Sequence, residues 1–232
     1  FTHAFFKALL FLGSGSVIVA MHHEQDIRNM GGLKDKIPFT YITMVIGTLA
    51  LTGFPLTAGY FSKDAIIESA FVANNPFALY GFLCTVLAAG LTSFYSWRLI
   101  FKTFHGEPHD QKHYEAAHES PYTMLIPLAV LAVGSILAGF PFKELFAGHG
   151  IHEFFRESVK MNPKIIDEMH HIPAAIAYLP TVMMVVGFFF SWLFYIRKPY
   201  LPVELANQHP GLYRFLLNKW YFDELYDFLF VR

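Results

Sequence analysis

Five long intervals of the chain contain no Lys, Arg, Asp or Glu. A helix needs about 20 apolar residues to cross a bilayer core of about 30 Å. The intervals lack the regular apolar and polar alternation of barrel strands, so helices are predicted. The pattern therefore predicts an all-α membrane protein, a polytopic helical bundle with about five transmembrane helices. The intervals run from Ala8 to His23, Ile37 to Ser62, Ser69 to Trp97, Ser120 to Phe142 and Met169 to Ile196.

The second interval predicts a broken helix. The apolar character continues from Ile37 through Phe71, about 35 residues, which would be roughly 50 Å long as one straight helix. Proline removes a helix hydrogen bond and glycine relaxes the backbone, so the break is predicted at Gly53, Pro55 and Gly59. A discontinuous helix over residues 38–72 is expected, with Lys63 and Asp64 just after the break.

The remaining chain divides into polar connections and amphipathic pieces. After the helices of residues 1–102, residues 103–120 are predicted to form a polar loop, and residues 121–198 two further transmembrane helices joined by a long outer loop over 141–173. Within that loop, the spacing from Phe142 to Met161 predicts a helix lying in the membrane interface. Residues 199–232 mix charges with aromatics and predict an amphipathic, surface-docked segment.

Composition excludes several classes of protein. Only 15% of residues are charged and 54% are hydrophobic, whereas soluble domains carry roughly 25% charged residues. The 17 basic and 18 acidic residues give no net field to attract nucleic acid. Cys84 is the only cysteine, so an internal disulfide framework is excluded.

Basic residues concentrate in the connections that follow the first, third and fifth predicted spans. Lys and Arg are enriched in loops on the cytoplasmic side of membranes. The ends of these three spans are therefore expected on the cytoplasmic or matrix side. The basic residues are Arg28, Lys34, Lys36, Arg98, Lys102, Lys112, Arg197 and Lys198.

Lys7 is the first ionisable residue at predicted membrane depth. At 100° per residue, His3, Lys7 and Ser14 fall on one stripe of the first helix. A buried Lys loses its charge more easily and His titrates near neutrality, so the two could exchange protons, with Ser14 lining the path. The alternative is a snorkelling Lys near a helix end beside a packed His.

Lys63 and Asp64 form the second candidate site. Transporters place ion sites at discontinuous helices, and these two charges follow directly after the predicted break. A surface loop there would leave only about ten residues, Ala65 to Asn74, too few to span a membrane. Glu68, one turn beyond Asp64, is a candidate for lining the same path, or a carboxylate at the helix end near the outer surface.

Histidines are frequent in the third connection, but their surroundings favour a solvated loop over a metal site. His105, His109, His113 and His118 stand among Gly106, Pro108 and mixed charges. They lack the helical pairing of a zinc motif with its general base. No metal site, phosphate-binding loop or catalytic nucleophile is predicted.

Several stretches closely resemble one known family. They are Thr2–Ile18 (THAFFKALLFLGSGSVI), His22–Ile27, Met30–Leu33, Thr57–Asp64 (TAGYFSKD) and Trp220–Asp227. The family is the largest antiporter-like membrane subunit of respiratory complex I: the L subunit of bacterial NADH:quinone oxidoreductase, and subunit 5 of the mitochondrial NADH dehydrogenase. The resemblance covers nearly all of the chain.

The resemblance implies an inverted-repeat, antiporter-like fold with a chain of buried Lys, His and Glu residues that carries protons. His3 and Lys7 would belong to the central hydrophilic axis. Lys63 would be the lysine of the broken helix beside the exit to the periplasm or intermembrane space, with Asp64 next to it. Residues 1–102 would form the second half-channel, with the first half-channel expected upstream of Phe1 and a lateral helix expected after residue 232.

The resemblance also implies an activity and partners. The subunit would couple NADH oxidation and quinone reduction to proton pumping without a cofactor of its own, because NADH, FMN, the iron–sulfur clusters and quinone bind to other subunits. Its partners would be the other membrane-arm subunits, above all the neighbouring antiporter-like subunit, and the lipid bilayer, with no nucleic acid. The expected location is the bacterial inner membrane, equivalent to the mitochondrial inner membrane.

Two alternatives remain open at the level of sequence. The large subunit of a multisubunit cation/proton antiporter shares the His-Ala-x-Phe-Lys core, here His3 to Lys7. Its typical continuation is an Asp-His-Glu sequence, whereas this chain has His22-His23-Glu24-Gln25-Asp26. The other alternative is a structural membrane-arm subunit whose buried lysines transfer no protons, although three costly charges argue against it.

Overall fold

The computed structural model describes residues 1–148, 150–156, 158, 168–169 and 171–231, which contain helices and no β-strand. The chain divides into two units, Phe1–Trp192 and Leu193–Arg232. The helices of the first unit are α1 (Thr2–Ala20), α2 (Pro38–Thr52), α3 (Ala58–Val72), α4 (Ala78–Phe104), α5 (Gln111–Ala116), α6 (Tyr122–Leu137), α7 (Gly139–Ala147), α8 (Ile151–Phe155), α9 (Ala174–Ala177) and α10 (Leu179–Trp192), with a 3-10 turn at Leu33–Asp35.

The second unit consists of short helical segments whose large apolar side chains are mostly exposed. A π-helical turn at Leu193–Arg197 precedes the first of them, and a second such turn at Asp227–Val231 follows the last. The helices are α11 (Leu201–Gln208), α12 (Pro210–Leu217) and α13 (Phe222–Tyr226), with a 3-10 turn at Lys219–Tyr221. Lys219 pairs with Asp223 at 3.1 Å on the exposed surface of this unit. The amphipathic, surface-docked character of residues 199–232 stays a prediction.

Among the described residues, three helical stretches are long and apolar enough to cross a membrane, namely Thr2–Ala20, Ala78–Phe104 and Ala174–Arg197. A fourth span arises if α6 and the following Gly139–Phe146, which are bent by 54°, count as one. The predicted number of about five also counts the α2–α3 pair. Each of those two helices has only 15 residues, about 22 Å of helix, so neither half crosses a bilayer alone.

The helix surfaces agree with a membrane protein. Large apolar side chains point outward from every long helix, among them Phe11 on α1, Leu79 on α4, Val130 on α6 and Phe189 on α10. In water such a continuous apolar exterior would drive aggregation, whereas lipid solvates it. The all-α membrane bundle predicted from the sequence is therefore confirmed.

The helices approach closely where small residues meet. A Cβ on Gly187 of α10 would clash with the carbonyl oxygen of Gly90 on α4. Beside this crossing, the Ser93 hydroxyl donates to the carbonyl oxygen of Met184 at 2.7 Å. Small residues and interhelical hydrogen bonds of this kind hold membrane helices together in the absence of a hydrophobic driving force.

The connections after α1 and α4 meet at one end of the first unit. The Gly32 N–H donates to the carbonyl oxygen of His105 at 3.2 Å, and the Tyr41 hydroxyl lies 3.1 Å from Nε2 of His105. His109 Nδ1 lies 2.7 Å from the carbonyl oxygen of Met30. The basic residues after the first and third spans are therefore at the same end, in agreement with the charge pattern.

The predicted discontinuous helix is present. α2 ends at Gly53, whose φ of 81° is left-handed, and α3 begins at Ala58. Pro55 and Leu56, which also has a positive φ of 70°, lie between them. The break thus falls at the Gly and Pro signals.

Two short helices, α7 and α8, lie largely within the range Phe142–Met161 where the sequence predicts one interfacial helix. α7 starts inside the fourth predicted span. Helical backbone resumes directly after Ala138, and the axis of α7 is bent by 54° from that of α6. Phe142 and Phe146 lie on α7, and Phe154 and Phe155 on α8. The end of the predicted interfacial helix, residues 159–161, lies outside the described residues.

Candidate functional site

The side chain of Lys63 joins the two halves of the broken helix. Its Nζ donates to the carbonyl oxygen of Leu51 at 3.0 Å and to that of Thr52 at 3.4 Å. The last carbonyls of a helix have no partner within the helix and carry the negative end of its dipole. The Lys63 ammonium is therefore both hydrogen-bonded and electrostatically matched at the end of α2.

Two glycines make this contact sterically feasible. A Cβ on Gly59 would clash with the carbonyl oxygen of Ala50, so α3 starts in direct contact with the backbone of α2. A Cβ on Gly53 would lie 3.3 Å from Cδ of Lys63. Glycine tolerates both the close approach and the left-handed φ at position 53.

Lys63 and His3 line one cavity of about 400 Å³ between α1, α3 and α4. Most of the wall is apolar and includes Phe6 and Ile67, while Thr85 and Thr92 add hydroxyl groups from α4. The His3 ring packs edge-on against Phe6, with centroids 5.3 Å apart. The structure thus brings together two of the predicted proton-transfer residues, which are 60 positions apart in the sequence.

The rest of the predicted stripe on α1 lies elsewhere. Lys7 is exposed, and it is absent from the described lining of the Lys63 cavity. The face of α1 that packs inside the unit carries Phe6, Leu9 and Gly13 instead. Ser14 lines a separate cavity and donates to the carbonyl oxygen of Leu10 at 2.8 Å. Burial of Lys7, which the stripe predicts, is therefore not seen in this chain.

An acidic face follows Lys63 along α3. Tyr60, Asp64 and Glu68 stand one helical turn apart, and Asp64 is half-buried among the charges of Lys63, Glu68 and Lys143. Neighbours at this spacing share one face of a helix. Asp64 and Glu68 are thus on one surface of the broken helix, next to the capping lysine.

Lys143 was not predicted as part of the site. It comes from α7, and its Nζ lies 5.7 Å from the ring centroid of Phe61 on α3. It lines a second cavity, of about 370 Å³, that shares Thr2 and Ser62 with the Lys63 cavity. The signal in the sequence is that Lys143 is the first charge after the fourth apolar interval.

The loop histidines are engaged in local contacts. His113 pairs with Asp110 at 2.6 Å, and the pKa of Asp110 is lowered by the hydrogen bonds it accepts from the backbone and side chain of His113. Nearby, hydrogen bonds from Arg28 lower the pKa of Asp26 to about 2. Across the described part of the chain, no three His, Cys, Asp or Glu residues group closely enough to hold a metal ion.

Comparison with a protein-family model covers the elements that build the Lys63 cavity. Residues 1–90 match the model described as NADH:quinone oxidoreductase/Mrp antiporter, TM. That range contains α1, α2, α3 and the first half of α4. The description names both an NADH:quinone oxidoreductase and an antiporter, so the family model alone does not separate these two classes.

Curated relatives are similar along the whole chain. NADH-quinone oxidoreductase subunit L of Rhodobacter capsulatus is 46% identical over 299 aligned positions, which cover 99% of this chain and 42% of the relative. NADH-ubiquinone oxidoreductase chain 5 of Phytophthora infestans is 42% identical over 230 positions, 97% of this chain and 34% of the relative. Subunit L of Neisseria meningitidis serogroup A is 35% identical over 260 positions, 100% of this chain and 38% of the relative.

The chain thus spans between about a third and two fifths of the length of these relatives. Their names all refer to NADH oxidoreductase subunits, and the similarity reaches both ends of the chain. By this homology, the chain belongs to the family of NADH-quinone oxidoreductase subunit L and NADH-ubiquinone oxidoreductase chain 5.

Proposed function

We propose that this chain is part of a proton-translocating membrane subunit of respiratory complex I. The observation that carries the proposal is the hydrogen bond from Lys63 to the end of α2 at the wall of a cavity that also contains His3. An ionisable amine at a helix break inside a membrane bundle is the arrangement that transporters use to bind and release a proton.

Two opposing effects act on the charge of Lys63. The apolar cavity wall disfavours an ammonium group, whereas the carbonyl oxygens of Leu51 and Thr52 stabilise it. Changes in nearby charge then favour binding or release of the proton, because a negative neighbour stabilises the ammonium form and a positive neighbour destabilises it. Asp64 and Glu68, on the same helix, provide such charges and form the next acceptors on the way out.

His3 and Lys7 are the proposed partners of Lys63 on α1. His3 shares the cavity with Lys63, and Lys7 stands one helical turn beyond His3. In this scheme protons approach along α1 past Ser14 and Lys7, reach the cavity at His3 and leave it through Lys63 and Asp64, with Glu68 lining the exit. Water is the expected proton carrier across the cavity, because its volume of about 400 Å³ is many times the ~30 Å³ share of one water molecule in the liquid.

The redox chemistry belongs to other subunits in this proposal. NADH, FMN, the iron–sulfur clusters and quinone would bind elsewhere in the complex, and quinone reduction would drive the charge changes. The partners would be the other membrane-arm subunits, especially the neighbouring antiporter-like one. The location would be the bacterial inner membrane, or its mitochondrial equivalent.

The test replaces Lys63 by Ala in the full-length protein, within the intact complex in sealed vesicles. We expect fewer protons transported per NADH oxidised, because the cavity loses its titrating amine. Lys112→Ala is the matched control, since Lys112 is exposed on α5 and remote from the broken helix in the sequence. An unchanged ratio in Lys63→Ala would refute the assignment and favour a structural subunit.

The antiporter alternative is separated by purification. We expect the full-length protein to copurify with NADH dehydrogenase activity and flavin, as the names of its relatives suggest. Sodium or potassium exchange for protons, without flavin or NADH oxidation, would identify a cation/proton antiporter instead.

A further inference from the structure

A small cavity of about 140 Å³ lies between α1, α2, α4 and the loop that follows α1. None of its described lining residues belongs to the described lining of the Lys63 cavity. Ser14 of α1, Thr103 of α4 and Gln25 of the loop are its polar lining residues, and Met30 and Met44 belong to its apolar wall. Ser14 follows His3 by eleven residues on α1, about 16 Å of helix, so this cavity belongs to the other end of the bundle.

The hydroxyl of Thr103 has no protein partner in the described structure. Thr103 is 2% exposed, and its Oγ1 is one of three buried side-chain polar atoms without a hydrogen bond among the described residues. A threonine within a helix ordinarily donates to a carbonyl one turn earlier, as Thr85 does to Gly81 at 2.9 Å. An unpaired buried hydroxyl is costly. Its position in a cavity wall therefore points to a ligand that forms hydrogen bonds.

The opposite wall offers a complementary group. Ser14 donates to the carbonyl oxygen of Leu10, which leaves its oxygen free to accept further hydrogen bonds. Gln25 is exposed at the loop side, where its amide group is able to donate and to accept hydrogen bonds, whereas Thr103 is at the buried side. The polar groups thus run from an exposed mouth to a buried floor.

The ligand chemistry is that of water rather than of an ion. Its described lining residues carry two hydroxyls, one amide and no ionisable side chain, whereas hard cations require several oxygen ligands that include carboxylates. The volume of about 140 Å³ exceeds the ~30 Å³ share of one water molecule in the liquid. Water can donate to Ser14 and both donate to and accept from Thr103.

We propose that this cavity is a water-binding site, in which ordered water is held between Thr103 and Ser14 and enters past Gln25. The site hydrates the end of the bundle that carries the basic loops. The proposal does not rest on proton transfer by Lys63, because it concerns a different cavity and a different ligand.

Radiolytic hydroxyl-radical footprinting of the full-length protein in its intact complex tests this site. Radicals formed from bound water oxidise the side chains that touch it, even when they are buried. Met44 lines the cavity and is 1% exposed, and Met21, also 1% exposed, does not line it. We expect Met44 to be oxidised several-fold faster than Met21. Equal protection of the two methionines would mean a dry cavity and would overturn the proposal.

Variants at the polar wall show which group holds the water. Thr103→Val keeps the shape and removes the hydroxyl, so oxidation of Met44 should fall to the rate of Met21, whereas Thr103→Ser should retain it. Thr43→Val is the control, because Thr43 is equally buried but already bonded to the carbonyl oxygen of Thr40. Oxidation of Met44 that persists in Thr103→Val would also overturn the proposal.

Discussion

Nζ of Lys63 on α3 lies 3.0 Å from the carbonyl oxygen of Leu51 on α2, so one half of the broken helix supplies the cap of the other. The same ammonium group lines the cavity and holds α3 to the end of α2 by its hydrogen bonds. A change in its protonation therefore alters the contact between α2 and α3, because a neutral amine is a weaker donor to carbonyl oxygens. We therefore expect the protonation of Lys63 and the contact between α2 and α3 to depend on each other.

The contact between α2 and α3 depends on Gly59, and Gly59→Ala should break it. The added Cβ would clash with the carbonyl oxygen of Ala50, and overpacking of this kind costs about 1–3 kcal/mol. We expect a lower apparent melting temperature of the purified full-length subunit. Gly81→Ala on α4 is the matched control, because its Cβ would meet no atom within 4 Å and helix propensity favours Ala by about 0.5–1 kcal/mol. Equal melting temperatures for the two variants would contradict the close approach.

The start of α2 depends on a carboxylate that is 80 positions away in the sequence. Glu119 accepts from the backbone N–H of Phe39 at 2.8 Å and from the hydroxyl of Thr40 at 2.5 Å. Loss of an N-terminal cap costs about 1 kcal/mol, so Glu119→Ala should speed hydrogen exchange of the first amides of α2 about fivefold. Mass spectrometry of a peptide covering residues 38–44 measures this change. Glu115→Ala, which removes an exposed carboxylate of α5, should leave the peptide unchanged.

The loop after α1 contains an ion pair with a defined pH range. Hydrogen bonds from Arg28 lower the pKa of Asp26 from 3.8 to about 2. Because the pKa of Asp26 is lowered in the folded chain, the ion pair contributes its full stabilisation above about pH 4. This stabilisation is lost as the pH falls through about 2. The isotope-labelled carboxyl group of Asp26, followed by solid-state NMR, should therefore titrate near pH 2.

Arg28→Gln should return the midpoint of Asp26 toward 3.8, since the donor of the strongest hydrogen bond is removed. Lys34→Gln removes another positive charge of the same connection and should leave the midpoint in place. A wild-type midpoint near 3.8 would show that Arg28 does not hold Asp26 in solution.

Local signals in the sequence account for the break between α2 and α3. Gly53 and Pro55 act on their own backbone, so their positions alone predict where a helix stops. The all-α membrane fold follows in the same way from the length and composition of the apolar intervals. Neither prediction needs a contact between distant residues.

The parts of the site that the sequence did not predict depend on packing between distant helices. Lys143 reaches the site because α7 bends by 54° from α6 and contacts α3, and no local pattern specifies that angle. The exposure of Lys7 similarly depends on which face of α1 packs against α2 and α6. Helical periodicity groups His3, Lys7 and Ser14 on one stripe, but it does not determine which cavity each of them lines.

Two serines at the interface of α4 and α10 should respond in opposite directions to substitution by Ala. Ser93 donates to the carbonyl oxygen of Met184 at 2.7 Å, whereas Ser191 is fully buried and its hydroxyl has no partner in the described structure. Ser93→Ala loses an interhelical hydrogen bond worth about 1 kcal/mol, so the melting temperature of the subunit should fall. Ser191→Ala removes an unpaired buried hydroxyl at the cost of one small atom, so the melting temperature should hold or rise. Both substitutions remove one hydroxyl oxygen from a buried site, so a loss of packing alone would lower the two melting temperatures alike. An equal decrease would contradict the hydrogen bond from Ser93 to Met184.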